Sequence, residues 1–154
     1  MKKTTLKSIA KFLILFAIGG FTYNIIELLF RGYTFFSMFI VGGLCFTAIG
    51  QINEAYPWDM PLISQMAISS VIVTVVEFCC GIILNMAMGL HVWDYSDMPY
   101  NFCGQVCLIF SIGWFFLSAV AIILDDVIRW KLFGELIPWF DIFYSHCVDM
   151  HKDD

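Results

Sequence analysis

Charged side chains are scarce in this chain. Lysine and arginine supply 8 of its 154 residues and aspartate and glutamate 13, so 14% of positions are charged, where a soluble domain carries about a quarter. With 60% of residues hydrophobic and a mean hydropathy of +0.83, too little polar surface exists to cover a water-soluble globule of this size. The same composition excludes disorder, which needs low hydrophobicity and high charge. A net charge of −5 excludes a nucleic-acid binder, whose footprint is basic.

Catalytic signatures are missing as well. No G-x-x-x-x-G-K-[ST] stretch occurs, so the chain is not itself an ATP-hydrolysing P-loop subunit. Neither G-x-S-x-G nor a Ser/His/Asp set is present, and no dinucleotide fingerprint follows a strand, so no enzyme and no cofactor are expected. The six cysteines form no disulfide-like framework. Cys103 and Cys107 have the spacing of one helix face, but no histidine stands in register with them, so no metal site is expected. His91, His146 and His151 fall in loop or tail and make no H-E-x-x-H motif.

What the chain does have is long apolar runs. Four are long enough to cross a bilayer, at residues 12–30, 34–52, 62–88 and 102–124. The N-terminal Met1-Lys2-Lys3 start resembles a signal peptide, but the apolar run continues past Gly19-Gly20 without an A-x-A-like site, so a retained helix is expected. Past Arg129, apolar residues recur at helical spacing with Glu135 and Asp141 between them. That pattern reads as an amphipathic helix at about 127–145, lying in the membrane interface. The expected architecture is an all-α membrane protein, residues 1–154 forming one transmembrane domain of four spanning helices plus this interfacial helix.

Basic residues set the orientation. Lys2, Lys3, Lys7 and Lys11 precede the first run, and Arg129, Lys131 and Lys152 follow the fourth. Residues 53–61 and 89–101 contain none. Both termini are therefore expected on the cytoplasmic side, with the 89–101 loop outside. Trp93 and Tyr95 in that loop fit an aromatic belt at the membrane–water boundary.

Ionisable groups inside a membrane cost roughly 2.5–3.5 kcal/mol each on insertion scales, so they normally pair or face a cavity. Here they fall into two layers. The outer one gathers Tyr23, Glu27 and Arg31 at intervals of four on the first helix, with Glu77 on the third. Glu77 lies 15 residues past Leu62, about 22 Å along a helix axis. Thr74, Glu77, Gly81 and Asn85 make a polar, small stripe, and Gln105 and Trp93 approach from the outer side. This layer is either an internal salt bridge holding helices in register or a site for a cation or proton-coupled ligand, because two acids face one base. The inner layer contains Gln51 and Asn53 with Glu54 on the second helix, and Asp125, Asp126 and Arg129 on the fourth. It reads as an interfacial anchor or as an exit for a solute. Between the layers, Gly42, Gly43, Phe46 and Gly50 mark a close-packing face of the second helix. Gly104, Cys107, Ser111, Trp114, Ser118, Ala121 and Asp125 form a seam on the fourth, a packing face whose central Trp114 could also line a pocket.

These residues carry a resemblance. Glu27-Leu28-Leu29-Phe30-Arg31-Gly32-Tyr33-Thr34, Ile49-Gly50-Gln51-Ile52-Asn53-Glu54 and Thr74-Val75-Val76-Glu77-Phe78-Cys79-Cys80-Gly81 resemble successive blocks of a bacterial family of integral membrane proteins. So does Val92-Trp93-Asp94-Tyr95-Ser96-Asp97-Met98-Pro99-Tyr100-Asn101, running on to Gly104-Gln105-Val106-Cys107 and ending at Asp125-Asp126-Val127-Ile128-Arg129. The family bears the name putative ABC-transporter type IV, and the likeness covers about residues 10–131. It implies a permease-like component in a bacterial cell membrane, working as a homo-oligomer or with a partner membrane or ATPase subunit. Phe35-Phe36 departs from the His-Trp pair expected of the family, which puts in doubt any ligand contact made by that pair. The expected task is movement of a small polar or cationic solute. The alternative is a non-transporting assembly subunit whose polar clusters serve helix packing.

Overall fold

In a bilayer every backbone amide and carbonyl must find its partner within the protein, and a helix achieves this locally. The computed structural model describes residues 2–55, 60–136 and 142, with side chains from residue 7 to 52, 60 to 136 and at 142. Four helices account for the apolar runs: α1 (Lys2–Arg31), α2 (Phe36–Ala55), α3 (Leu62–Gly81) and α4 (Leu108–Phe133). Six further residues, Ile82–Ala87, carry α3 onward as a π-helical turn. Lys7–Arg31, Leu62–Ala87 and Leu108–Phe133 are long and apolar enough to span a membrane, and Phe36–Ile52 of α2 is a shorter apolar helix.

The helices pair as α1 on α2 and α3 on α4. α2 also touches both α3 and α4, while α1 barely meets α4. Small residues permit the first pairing, since lipid offers no hydrophobic drive for association. A Cβ on Gly42 would lie 2.4 Å from the Tyr23 Cβ, and one on Gly19 would lie 2.3 Å from that of Phe46. The buried core at the other seam joins Ile49, Leu62, Val73 and Ile122. Large apolar side chains such as Phe21, Leu29, Phe30 and Phe116 point outward, as lipid-facing residues do.

Three boundaries differ from the sequence reading. First, α1 begins at Lys2 rather than residue 12. Second, the fourth helix starts at Leu108, not at residue 102. Residues 101–107 instead form a small antiparallel hairpin, β1 (Asn101–Phe102) against β2 (Val106–Cys107). Cys103 and Gly104 at its tip have φ of 54° and 66°, which no right-handed helix admits. Cys103 and Cys107 therefore do not share a helix face: Cys103 is exposed and Cys107 buried. Gly104 and Cys107 likewise drop out of the α4 seam. Third, residues 127–133 continue α4. The helix ends at Gly134, whose φ of 69° lets the amides of Gly134 and Glu135 return to the Trp130 and Arg129 carbonyls. The rest of the expected interfacial helix falls almost wholly outside the described residues, as does the loop with Pro57 and Trp58.

Candidate functional site

The segment from Gly89 to Cys107 folds back over one end of the bundle as a cap. Five of its residues have left-handed backbone: Gly89, His91, Tyr100, Cys103 and Gly104. Side-chain bonds hold this path. Asn101 Nδ2 donates to the carbonyls of Ser96 (3.1 Å) and Met98 (2.8 Å), and its Oδ1 accepts from the Gly104 amide at 3.0 Å. Asp94 Oδ1 accepts from the Ser96 hydroxyl at 2.6 Å and the Ser96 amide at 2.9 Å, which hold the Asp94 carboxyl below the usual carboxylate range. A Cβ on Gly104 would lie 2.4 Å from Ser96 Oγ, so the two turns interlock.

Asn85, buried in the π-helical turn, ties cap to bundle. Its Oδ1 accepts from the Val92 amide at 2.7 Å and its Nδ2 donates to Gln105 Oε1 at 2.9 Å. Trp93 Nε1 donates to the Gln105 carbonyl at 2.9 Å. Trp93 is 6% exposed, so it is a buried strut rather than a member of an interfacial aromatic belt. A π-helical stretch inside a regular helix often marks a functional position. Here it turns Asn85 toward the cap, on the same stripe that places Thr74 against Ser111 Oγ at 3.1 Å.

The two acids of the outer layer have different partners. Glu27 and Arg31 form an ion pair on α1. Arg31 also donates to the Val92 carbonyl at 3.1 Å, and the Thr34 hydroxyl donates to Glu27 Oε2 at 2.6 Å. Among the described residues no cation pairs with Glu77. The Tyr95 hydroxyl donates to its Oε1 at 3.1 Å, and Trp114 Nε1 donates to its Oε2 at 2.9 Å. Tyr95 reaches in from the cap and stacks on Phe110, with ring centroids 4.7 Å apart. Burial and then the nearby Glu77 charge push the Tyr95 phenol up, so its hydroxyl stays protonated and remains a donor.

Glu77 opens onto a cavity of about 80 Å³ between the four helices. Tyr23 and Trp114 line it too, their ring centroids 5.9 Å apart and tilted by 32°. Cys45, Phe46 and Ser118 contribute to the wall. A carboxylate accepts about four hydrogen bonds, and the described residues fill two of those positions. Of the outer residues, then, the structure brings Tyr23 and Glu77 to one cavity. Glu27 and Arg31 form a separate pair, while Gln105 and Trp93 belong to the cap. Of the two residues that hold Glu77, Tyr95 was not among the sequence candidates, and Trp114 was expected only as a member of the α4 seam that could line a pocket. Trp114 stood in the middle of the α4 seam, and that was its signal.

At the opposite end, Asp125 and Arg129 form a buried pair on α4, Nε to Oδ2 at 2.5 Å, and Arg129 also donates to the Gly50 carbonyl at 3.3 Å. Asp126 is buried in the same turn. Lys11 of α1 pairs with Glu135, a contact that joins α1 to the turn after α4 and that sequence spacing does not reveal. Asp125 and Arg129 are 0% and 4% exposed, so the pair is enclosed by the protein itself. Gln51 is exposed. The side chain of Asn53 lies outside the described residues.

No solved structure matches this chain. A family model does, over residues 9–148. That range takes in the α1 ion pair, the cap with its Trp93–Gln105 strut, the Glu77 cavity and the Asp125–Arg129 pair, and the chain belongs to the family described as Putative ABC-transporter type IV.

Proposed function

We propose that the chain is a permease-like component handling a small polar or cationic solute, with Glu77 as the group that meets the solute's charge. One observation carries this reading: Glu77 is a buried carboxylate on a cavity wall, held by two neutral donors. Placing an acid within a membrane is costly, and such groups are functional candidates by default. The family name, which points to ABC transport, supports the same direction. No P-loop motif occurs in the sequence, so energy from ATP would come from a partner ATPase subunit. A cavity this small between four helices favours a pathway completed by a second copy or a partner membrane subunit. Both termini would face the cytoplasm of a bacterial cell, and no catalysis is assigned to the chain.

The test is flux into proteoliposomes holding the chain with any co-purifying subunit, surveyed over a panel of small polar and cationic solutes. At least one solute should move, and Glu77→Gln should abolish that movement at unchanged folded amount. Equal flux in the variant overturns the proposal. The assembly reading has its own support, because the Asp125–Arg129 group joins α4 to α2. Under that reading Glu77→Gln lowers folded yield and a larger partner is recovered with the wild type.

A further inference from the structure

We infer that the Glu77 cavity takes a monovalent organic cation, an alkylated or aryl ammonium, rather than a hydrated metal ion. The inference rests on the permease reading for the idea that the cavity holds a transported solute, and it names that solute's class. Hard metal cations need six or more oxygen ligands. Few side-chain oxygens line this cavity. Only Thr22, Tyr23, Glu77 and Ser118 among its lining residues carry side-chain oxygens, five in all, which falls short of that number. The wall offers something else: a carboxylate beside the rings of Tyr23 and Trp114. Aromatic faces attract an ammonium whose hydration is weak, most strongly when water is excluded. Apolar residues such as Val41, Ile49 and Val73 complete the lining and would solvate alkyl or aryl groups.

The route of entry fits the same chemistry. α1 and α4 barely meet, and the cavity reaches Val120 on α4, which is 60% exposed. Val120 faces hydrocarbon, and entry past it would admit a cation with an apolar body and exclude a hydrated metal ion. The quaternary ammonium of a lipid headgroup shares this chemistry with a free organic cation.

Calorimetric titration of the detergent-solubilised full chain with phenyltrimethylammonium tests the class. Binding should be saturable and at least about tenfold weaker in Glu77→Gln and in Trp114→Leu. Glu77→Asp and Trp114→Phe, chosen to keep charge and ring, should bind close to wild type, and they serve if the harsher variants do not fold. The neutral isostere tert-butylbenzene should not compete, nor should sodium or potassium. Equal binding in Glu77→Gln and Glu77→Asp, competition by the neutral isostere, or displacement by the metal ions overturns the inference. Nanodiscs then separate the sources: loss of probe binding in phosphatidylcholine but not phosphatidylglycerol assigns the site to the headgroup, and binding in both assigns it to a free cation. Either result supports the ammonium class. Binding without Glu77-dependent flux removes the permease reading and leaves the site. Flux of another solute without phenyltrimethylammonium binding removes the ammonium class and leaves the permease reading.

Discussion

Asp125 on α4 sits in the space that Gly50 on α2 leaves empty. A Cβ at position 50 would lie 2.6 Å from both carboxylate oxygens. Those oxygens cannot simply swing away, because Oδ2 is held by Arg129 and the residue is fully buried. Gly50→Ala should therefore push α2 and α4 apart and cost about 1–3 kcal/mol, the range for overpacking a tight contact. Gly113 on α4 is the matched control, since nothing lies within 4 Å of the point a methyl group there would occupy. Gly113→Ala should be neutral or stabilise by up to about 1 kcal/mol through helix propensity. Thermal midpoints of the two variants in one detergent check both signs, and a Gly50→Ala protein as stable as wild type contradicts the packing account.

Removing Arg129 should be worse than crowding Asp125. The arginine is 4% exposed and answers Asp125, the Gly50 carbonyl and, at 3.9 Å, Glu135. Breaking a buried pair by deleting one partner leaves an uncompensated charge, at a cost of roughly 3–5 kcal/mol. Arg129→Met alone should lower the unfolding midpoint in denaturing detergent strongly. Adding Asp125→Asn to it should recover part of the loss, since the orphan charge is then gone. A double variant no better than the single one would show that the ion pair is not what the arginine serves.

Sequence reading located the helices because a bilayer leaves so few alternatives: a run of some twenty apolar residues can satisfy its backbone there only as a helix or a closed barrel. It located the Glu27–Arg31 and Asp125–Arg129 pairs because a spacing of four fixes both side chains on one helix face. It missed the partners of Glu77, because Tyr95 comes from a loop and Trp114 from another helix, and no periodicity links them. Lys11 and Glu135 were invisible for the same reason, standing 124 residues apart. The hairpin at residues 101–107 was read as helix because Phe102, Cys103, Val106 and Cys107 are apolar. The left-handed backbone at Cys103 and Gly104 has no signature in hydropathy.

Asn85 makes the cap's central tie. Asn85→Ala would leave the Val92 amide and the Gln105 side-chain oxygen without their partners in a buried setting. An unsatisfied buried group costs about 1–3 kcal/mol. The loss should be local, with hydrogen exchange faster from residue 92 to 107 and unchanged along the α1–α2 pair. Faster exchange throughout the protein would mean that the cap is integral to the bundle and does not open as a separate unit.

The cap should also respond to acid through Asp94. Hydrogen bonds from the Ser96 hydroxyl and amide lower its proton affinity in the folded chain. The unfolded or opened cap therefore binds the proton more readily, and the stabilisation is complete above the ordinary aspartate value of about 3.9. It is lost only as pH falls through the lowered value of the folded state. Asp94→Asn removes the charge at every pH. Cap exchange, corrected for its intrinsic pH dependence, should be faster in Asp94→Asn than in wild type by a constant factor between about pH 7 and 5, and the two should converge below about pH 4 as the wild-type carboxyl gains its proton. Ser96→Ala should reproduce part of the difference, since it deletes the hydroxyl donor and keeps the amide. A gap between wild type and Asp94→Asn that narrows already near neutral pH would assign the effect to some group other than Asp94.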